Sequence, residues 1–270
     1  MQNQNIHFKS EEISNYFKVY RSRWEDFYPS EKFIISKTLN KQKKIGNLLD
    51  LGCASGGLGL AIFEKFPELS FSSYTGIDIN PQNIELAYSR NWPKNLKTQF
   101  YCQDFLLEKK LKRDFSDIVV SLSCIDWNVE FLLMLNKAFE FVTPGGFLIL
   151  SMRLTEKNWT PDFAKSYQWI NYSGKELNPE KTHYVIFNVK DSIMSLMKLN
   201  PQSLDMFGYY GPPTKLSVTP FNELIFVVVA IEKKSLDVKK APSITLDIPL
   251  SKNTNLEMIN FIEENGYVRH

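Results

Sequence analysis

The chain is poor in cysteine and histidine and has almost no excess charge of either sign. Its three cysteines, Cys53, Cys102 and Cys124, are scattered and odd in number, which argues against a disulfide framework. They form no CxxC or Cys/His spacing suited to zinc, so no metal site is expected. Lys plus Arg total 32 against 30 Asp plus Glu, a net charge of +2, where a nucleic-acid enzyme more often carries a strong basic excess. The short clusters Lys41/Lys43/Lys44, Lys109/Lys110/Lys112/Arg113 and Lys239/Lys240 read as solvated loop faces. No apolar run is long enough to span a bilayer, and the longest, Leu224 to Ile231, has the length of a strand. Met1 to Asn5 lacks the positive start and apolar run of a signal peptide. The expectation is a soluble, cytoplasmic protein that meets neither membrane nor nucleic acid. A hydrophobic share of 43% and an aromatic share of 14% supply a sizeable core, and 270 residues suit one large α/β domain with insertions.

Apolar spacing at Ile13, Tyr16, Phe17 and Tyr20 predicts a helix capped by Ser10, and Tyr28-Pro29-Ser30 breaks it before a second helix capped by Ser30. From Asn47 a strand, turn, helix rhythm begins. Strands are expected at Leu48–Leu51, Tyr74–Ile79, Thr98–Cys102, Asp117–Ser123 and Phe147–Met152. Helices are expected over Leu58–Phe66, after the Asn80-Pro81 cap, and over Val129–Phe141 behind an Asn128 cap. Such alternation implies a parallel sheet with helices on both faces. Residues 154–188 lose the rhythm and read as an insertion over the sheet edge. Leu204–Tyr210 and Glu223–Glu232 follow as two strands able to pair antiparallel, and a helix over Asn255–Glu264 ends at Gly266. The domain plan is a helical cap (1–40), a doubly wound α/β domain (41–238, with 154–188 as a lid) and a C-terminal extension (239–270).

Chemistry concentrates at strand ends. The turn Asp50-Leu51-Gly52-Cys53-Ala54-Ser55-Gly56-Gly57 joins the first strand to a helix, where glycines let backbone approach a ligand and the helix start offers free N–H groups. Dinucleotide dehydrogenases place glycines in the same turn, so the turn alone does not choose a ligand. Asp78 ends the second strand, where a carboxylate can accept both hydroxyls of a ribose. Asp104 follows the third, with Phe105 beside it, suited to an adenine amino group and ring face. Ligands of parallel α/β sheets bind at the carboxyl ends of the strands, so these groups converge on one crevice.

In this order the segments resemble the class I S-adenosylmethionine-dependent methyltransferases. Leu48 to Leu58 is similar to that family's first motif, Gly76-Ile77-Asp78-Ile79-Asn80 to its second-strand motif, and Gln103-Asp104-Phe105 to its adenine-side motif. Phe115 to Trp127 resembles its fourth-strand stretch and Pro144-Gly145-Gly146 the turn before its fifth strand. The resemblance spans roughly residues 45–232. It implies a doubly wound, mostly parallel seven-stranded sheet with a C-terminal antiparallel pair, and S-adenosyl-L-methionine as cofactor. Contacts are implied at Asp50, Gly52, Ala54, Ser55, Gly56, Asp78, Ile79, Asp104, Phe105 and Ser121. Two positions depart from the pattern: Ala54 replaces the middle glycine, tolerable if its backbone angles are ordinary, and Asp126 stands where many small-molecule members carry histidine.

Methyl transfer depends on positioning, and an alcohol or protonated amine also needs a base. Asp126 is the first candidate base, with a helix cap as its alternative role; His183 is the second. In Tyr20-Arg21-Ser22-Arg23-Trp24 an arginine can grip a carboxylate bidentately, and Arg23 is preferred because Trp24 can cover the site. Trp159, Tyr167, Trp169, Tyr172 and Tyr184 suit a sugar face or an ordinary small core. The expected activity is methylation of a small polar acceptor, such as a sugar or surface-polysaccharide precursor. The competing readings are a nicotinamide-dependent oxidoreductase and a non-catalytic interaction module; an RNA methyltransferase lacks both a basic appendage and its motif after the fourth strand.

Overall fold

The computed structural model describes residues 21–42, 44–107, 111–128, 130–170, 180–235 and 240–270. The expected first helix lies outside them as far as Tyr20, and over 21–27, before the break at Tyr28-Pro29, the chain is not α-helical. Trp24–Asp26 forms a single 3-10 turn, and helix α1 (Pro29–Leu39) follows. It starts two residues earlier than expected, with Tyr28 in the cap position instead of Ser30. Pro29 takes the first helical position, where a missing N–H costs nothing, and the Glu31 carboxylate accepts the Tyr28 N–H at 2.8 Å. Ser30 therefore sits inside the first turn, buried, instead of capping it.

The rhythm then runs β1 (Lys44–Leu51), α2 (Gly57–Lys65), β2 (Ser70–Asp78), α3 (Pro81–Ser89), β3 (Lys97–Cys102), β4 (Ser116–Ser121), α4 (Phe131–Glu140) and β5 (Val142–Thr155). The Asn80 side-chain Oδ1 caps α3, accepting the Gln82 N–H at 2.9 Å and the Asn83 N–H at 3.4 Å, with Pro81 next in line. Asn128 does not cap α4. Its side-chain amide instead donates to the Cys124 carbonyl at 2.7 Å, closing a 3-10 turn over Ile125–Trp127.

The remainder comprises β6 (Tyr167–Ile170), β7 (Glu180–His183), β8 (Phe187–Asn188), α5 (Val189–Met197), β9 (Ser203–Gly211), β10 (Ser217–Val218), β11 (Leu224–Glu232), β12 (Ser243–Asp247), α6 (Lys252–Glu264) and β13 (Val268–Arg269). Ten strands form one sheet in the order β13-β12-β9-β11-β5-β4-β1-β2-β3, with β8 against the end of β5. Its seven-stranded centre, β3 to β9, is parallel except for β11, which runs antiparallel to both β5 and β9. The tail adds β12, parallel to β9, and β13 beside it. A second, three-stranded antiparallel sheet, β10-β6-β7, is built largely from the 154–188 segment.

Alternating strand residues build a core on each face of the sheet. On one face Leu49, Leu150 and Val227 pack with Met134 and Leu135 of α4, Ile193 of α5 and Met258 of α6. On the other, Leu48, Ile149 and Val228 pack with Ile34 of α1, Ile62 of α2 and Ile84 of α3. Strand order reverses between β1 and β4, which opens a crevice at their carboxyl ends.

Candidate functional site

A cavity fills that crevice, lined among others by Arg21, Asp50, Gly52, Ala54, Asp78, Ile79, Asn83, Gln103, Asp104, Phe105, Leu122 and Cys124. Its floor is the turn after β1. Gly52 and Cys53 both donate their N–H to the Ile77 carbonyl, at 2.8 and 3.0 Å, which ties the turn to β2. Gly52 has φ +78°, and a Cβ there would lie 2.6 Å from the Cys124 side chain. Glycine is required at that position by both conformation and space. Ala54 does not have ordinary angles: its φ is +46°, so the middle position keeps a left-handed backbone without a glycine. Arg21 (φ +58°) and Ser123 (φ +53°) share that region and also line the cavity, so three strained non-glycine residues gather at one place.

Three carboxylates hold distinct positions around it. Asp50 is buried and accepts the Tyr74 hydroxyl at 2.7 Å. Burial pushes its carboxyl up to about 7, with the Asp78 charge adding to the rise and the Tyr74 hydrogen bond and Arg21 opposing it. Asp78 accepts the Ala54 N–H at 2.9 Å on one oxygen and the Asn80 N–H at 2.8 Å on the other. Burial raises it as well, against the pull of those two backbone donors. Asp104 accepts the Leu106 N–H at 2.9 Å and opens the 3-10 turn that carries buried Phe105. Between these groups the Gln103 amide nitrogen and the Asn83 amide oxygen are buried with no hydrogen-bond partner among the described residues. Buried polar atoms are rarely left so. A ligand with both donors and acceptors on one edge fits them.

Several expected residues stand elsewhere. Arg23 is exposed at the start of the 3-10 turn, and it is Arg21 that lines the cavity, its guanidinium 2.8 Å from the Glu31 carboxylate. The left-handed turn at Arg21 redirects the chain, which residue spacing does not reveal. Trp24 packs edge-on against Phe66 at 5.5 Å and joins the core instead of covering the site. Ser55 is buried behind the turn and accepts from Arg90 at 2.6 Å. Gly56 starts α2 against Trp92, and Ser121 is buried at the end of β4; neither lines the cavity.

A smaller pocket adjoins the first and shares Ser123 and Trp127 with it. Asp126 lies here, 3.2 Å from Arg153 across a buried ion pair. Arg153 also donates to the Asp126 carbonyl at 2.5 Å and the Val185 carbonyl at 3.2 Å, and sits over the Trp127 and Tyr184 rings. Burial raises Asp126, with Arg153 pulling it down. Asp126 is therefore not a helix cap: its partner is tertiary. His183 lines neither pocket; it is buried edge-on to Phe163, and burial pushes it down to about 4, so its imidazole is neutral at pH 7. Arg153 and Glu31 went unseen in the sequence, although a lone arginine in the apolar run Leu148 to Leu154 is a signal in retrospect. Of the five aromatics in the insertion, Tyr184 alone reaches the pocket; Trp159 packs on Phe221, Tyr167 and Trp169 clasp Lys181, and Tyr172 lies outside the described residues.

Among the described residues no three His, Cys, Asp or Glu side chains cluster as a metal site, and no helix is long and apolar enough to cross a membrane. A family model described as a methyltransferase domain matches residues 42–198. Among solved structures, the chain is similar to a SAM-dependent methyltransferase from Methanosarcina mazei: 20% identity, TM-score 0.53, 77% of this chain and 99% of that one. It is also similar to a protein from Listeria monocytogenes provisionally assigned as an S-adenosylmethionine dependent methyltransferase: 15%, TM-score 0.51, 76% and 99%. A third is phosphoethanolamine N-methyltransferase 2 of Haemonchus contortus, in complex with S-adenosyl-L-methionine: 13%, TM-score 0.51, 75% and 52%. At these identities the likeness is one of fold. No curated protein matches the sequence.

Proposed function

The chain belongs to the methyltransferase-domain family, with the class I fold that uses S-adenosylmethionine, and from that premise we propose that it methylates a small polar metabolite. The observation that carries the reading is the cavity at the strand ends, where Asp50, Asp78 and Asp104 meet the unpartnered amide atoms of Gln103 and Asn83. In this reading Asp78 receives the ribose hydroxyls, Asp104 and Gln103 receive the adenine edge, and Phe105 and Leu122 cover its faces. Arg21 takes the amino-acid carboxylate, in the role first assigned to Arg23. The cofactor supplies an electrophilic methyl group; the protein supplies position, and a proton acceptor where the substrate needs one.

The acceptor enters the smaller pocket, which abuts the first at Ser123 and Trp127. Asp126 holds Arg153 there, and a carboxylate engaged with a guanidinium at 3.2 Å is not turned toward a substrate proton. Its main contribution is to keep the pocket wall in place. His183, at the end of β7, lines neither pocket and takes no part. A covering role for 154–188 fits the placement of Tyr184, which reaches the pocket from the end of that segment.

The test is a screen for acceptor-dependent release of S-adenosylhomocysteine from S-adenosylmethionine. The panel holds sugars, sugar nucleotides, amines and hydroxylated metabolites. Release with at least one class supports the reading. Tight cofactor binding with no release across the panel contradicts it and favours an interaction role for the fold.

A further inference from the structure

The wall between the two pockets is an ion pair. Arg21 lines the larger cavity and Glu31 the smaller, with guanidinium and carboxylate 2.8 Å apart. Glu31 is 1% exposed, so its charge depends on its neighbours and not on water. The smaller pocket also contains Asp126 and Arg153, paired with each other. With both pairs closed, two carboxylates balance two guanidinium groups. A ligand carboxylate arriving in the larger cavity competes with Glu31 for Arg21. Once Arg21 turns to it, the smaller pocket carries one unbalanced, buried negative charge.

A second observation points to a ligand there. The Tyr184 side chain is fully buried and lines the smaller pocket; its hydroxyl has the Thr214 backbone N–H beside it but donates to no acceptor among the described residues. Tyr28, Trp127 and Phe226 also line it. A buried carboxylate, a hydroxyl oxygen with accepting capacity left and aromatic side chains describe a place for a cation with N–H donors. An anion would face the uncompensated charge of Glu31, and a neutral alcohol gains little from it.

On the reading that the cofactor occupies the larger cavity, we propose that the smaller pocket is an acceptor site for a primary or secondary ammonium group, received by Glu31 after the cofactor's carboxylate has drawn Arg21 away. Glu31 then serves as proton acceptor: one ammonium proton passes to its carboxylate, and the electron pair of that N–H bond stays on nitrogen as the lone pair a methyl acceptor needs. Binding is consequently ordered, cofactor before amine. Glu31→Gln keeps an amide oxygen for the Tyr28 N–H that Glu31 accepts at 2.8 Å, so it removes the charge while retaining the start of α1.

The experiment uses ligand-observed NMR with n-propylamine, 1-propanol and propionate on the full chain, with and without saturating S-adenosylhomocysteine. Calorimetry of S-adenosylhomocysteine runs in parallel. Propylamine is expected to bind only in the presence of S-adenosylhomocysteine, and about tenfold or more tighter than the other two probes. Glu31→Gln should lose that amine binding by about tenfold or more, yet bind S-adenosylhomocysteine at least as tightly as wild type, because Arg21 is no longer held. Tyr184→Phe, which removes one oxygen from a packed ring, should weaken propylamine roughly threefold and leave S-adenosylhomocysteine unchanged. Equal binding of propylamine and propionate, amine binding without S-adenosylhomocysteine, or weaker S-adenosylhomocysteine binding by a folded Glu31→Gln overturns the proposal. If Glu31→Gln fails to fold, unchanged propylamine binding by Tyr184→Phe overturns it. Absence of S-adenosylhomocysteine binding to wild type overturns the cofactor reading itself, and calorimetry reports that separately.

Discussion

Asp50 offers a measurement of the site's electrostatics without any substrate. Its carboxyl is pushed from 3.8 to about 7, mainly by burial, while Tyr74 donates to it at 2.7 Å. A carboxyl raised in the folded state favours folding fully below about 3.8, and that contribution is lost as pH rises through about 7. At pH 8 the ionised Asp50 carboxylate costs the fold about 4 kcal/mol; at pH 5.5, where the folded carboxyl is protonated, taking up that proton on folding costs about 2 kcal/mol, at 1.36 kcal/mol per unit. Asp50→Asn keeps an oxygen for the Tyr74 hydroxyl and removes the charge. The variant should therefore be more stable than wild type in the absence of cofactor, and its advantage should grow by about 2 kcal/mol from pH 5.5 to 8. Urea unfolding of both proteins at the two pH values reads this directly, and taking the difference cancels His183, which titrates in the opposite sense. The His183 ring, pushed down to about 4, loses stability as pH falls from about 6.5. A pH-independent gap between Asp50→Asn and wild type, or a variant less stable at pH 8, refutes the reasoning.

Other substitutions separate the roles of neighbouring residues. Arg153→Met leaves the Asp126 carboxylate buried without its partner and should cost about 3–5 kcal/mol in urea unfolding; a loss under about 1 kcal/mol would show that the pair is solvated. Within one turn the signs should oppose: Gly52→Ala meets Cys124 at 2.6 Å and lowers the melting temperature, whereas Ala54→Gly relaxes a φ of +46° and should raise stability by up to about 1 kcal/mol. Destabilisation by Ala54→Gly of the same size as Gly52→Ala would contradict the strain at Ala54. Arg21→Ala should weaken S-adenosylhomocysteine about tenfold or more in calorimetry and Arg23→Ala hardly at all, and the reverse ranking would restore the arginine preferred on sequence.

The strands and the strand-end carboxylates were legible because their signals are local. Apolar runs, glycine turns and the Asn80-Pro81 cap each act within a few residues, and the parallel fold then brings Asp50, Asp78 and Asp104 to one rim. What escaped depends on distant partners or on backbone angles. Arg153 is 27 positions from Asp126, so their ion pair exists only in three dimensions. The choice of Arg21 over Arg23 turns on a single left-handed residue. Glu31 reads as an ordinary first-turn glutamate until Arg21 is seen beside it. The short strand β12 takes its register from β9, some forty positions earlier, and from β13 on its other side, so the tail looked like a lone helix.

The central claim is that the cavity at the strand ends takes S-adenosylmethionine, and titration calorimetry of S-adenosylhomocysteine against NAD tests it most directly. Asp78 presents two oxygens held by the Ala54 and Asn80 N–H groups, and on the proposed reading these receive the ribose. Wild type should bind S-adenosylhomocysteine and bind NAD far more weakly. Asp78→Ala removes the acceptor for both hydroxyls and should weaken S-adenosylhomocysteine by about 3 kcal/mol, roughly a hundredfold. Tight NAD binding with no S-adenosylhomocysteine affinity, or an Asp78→Ala protein that binds S-adenosylhomocysteine as wild type does, would contradict the account.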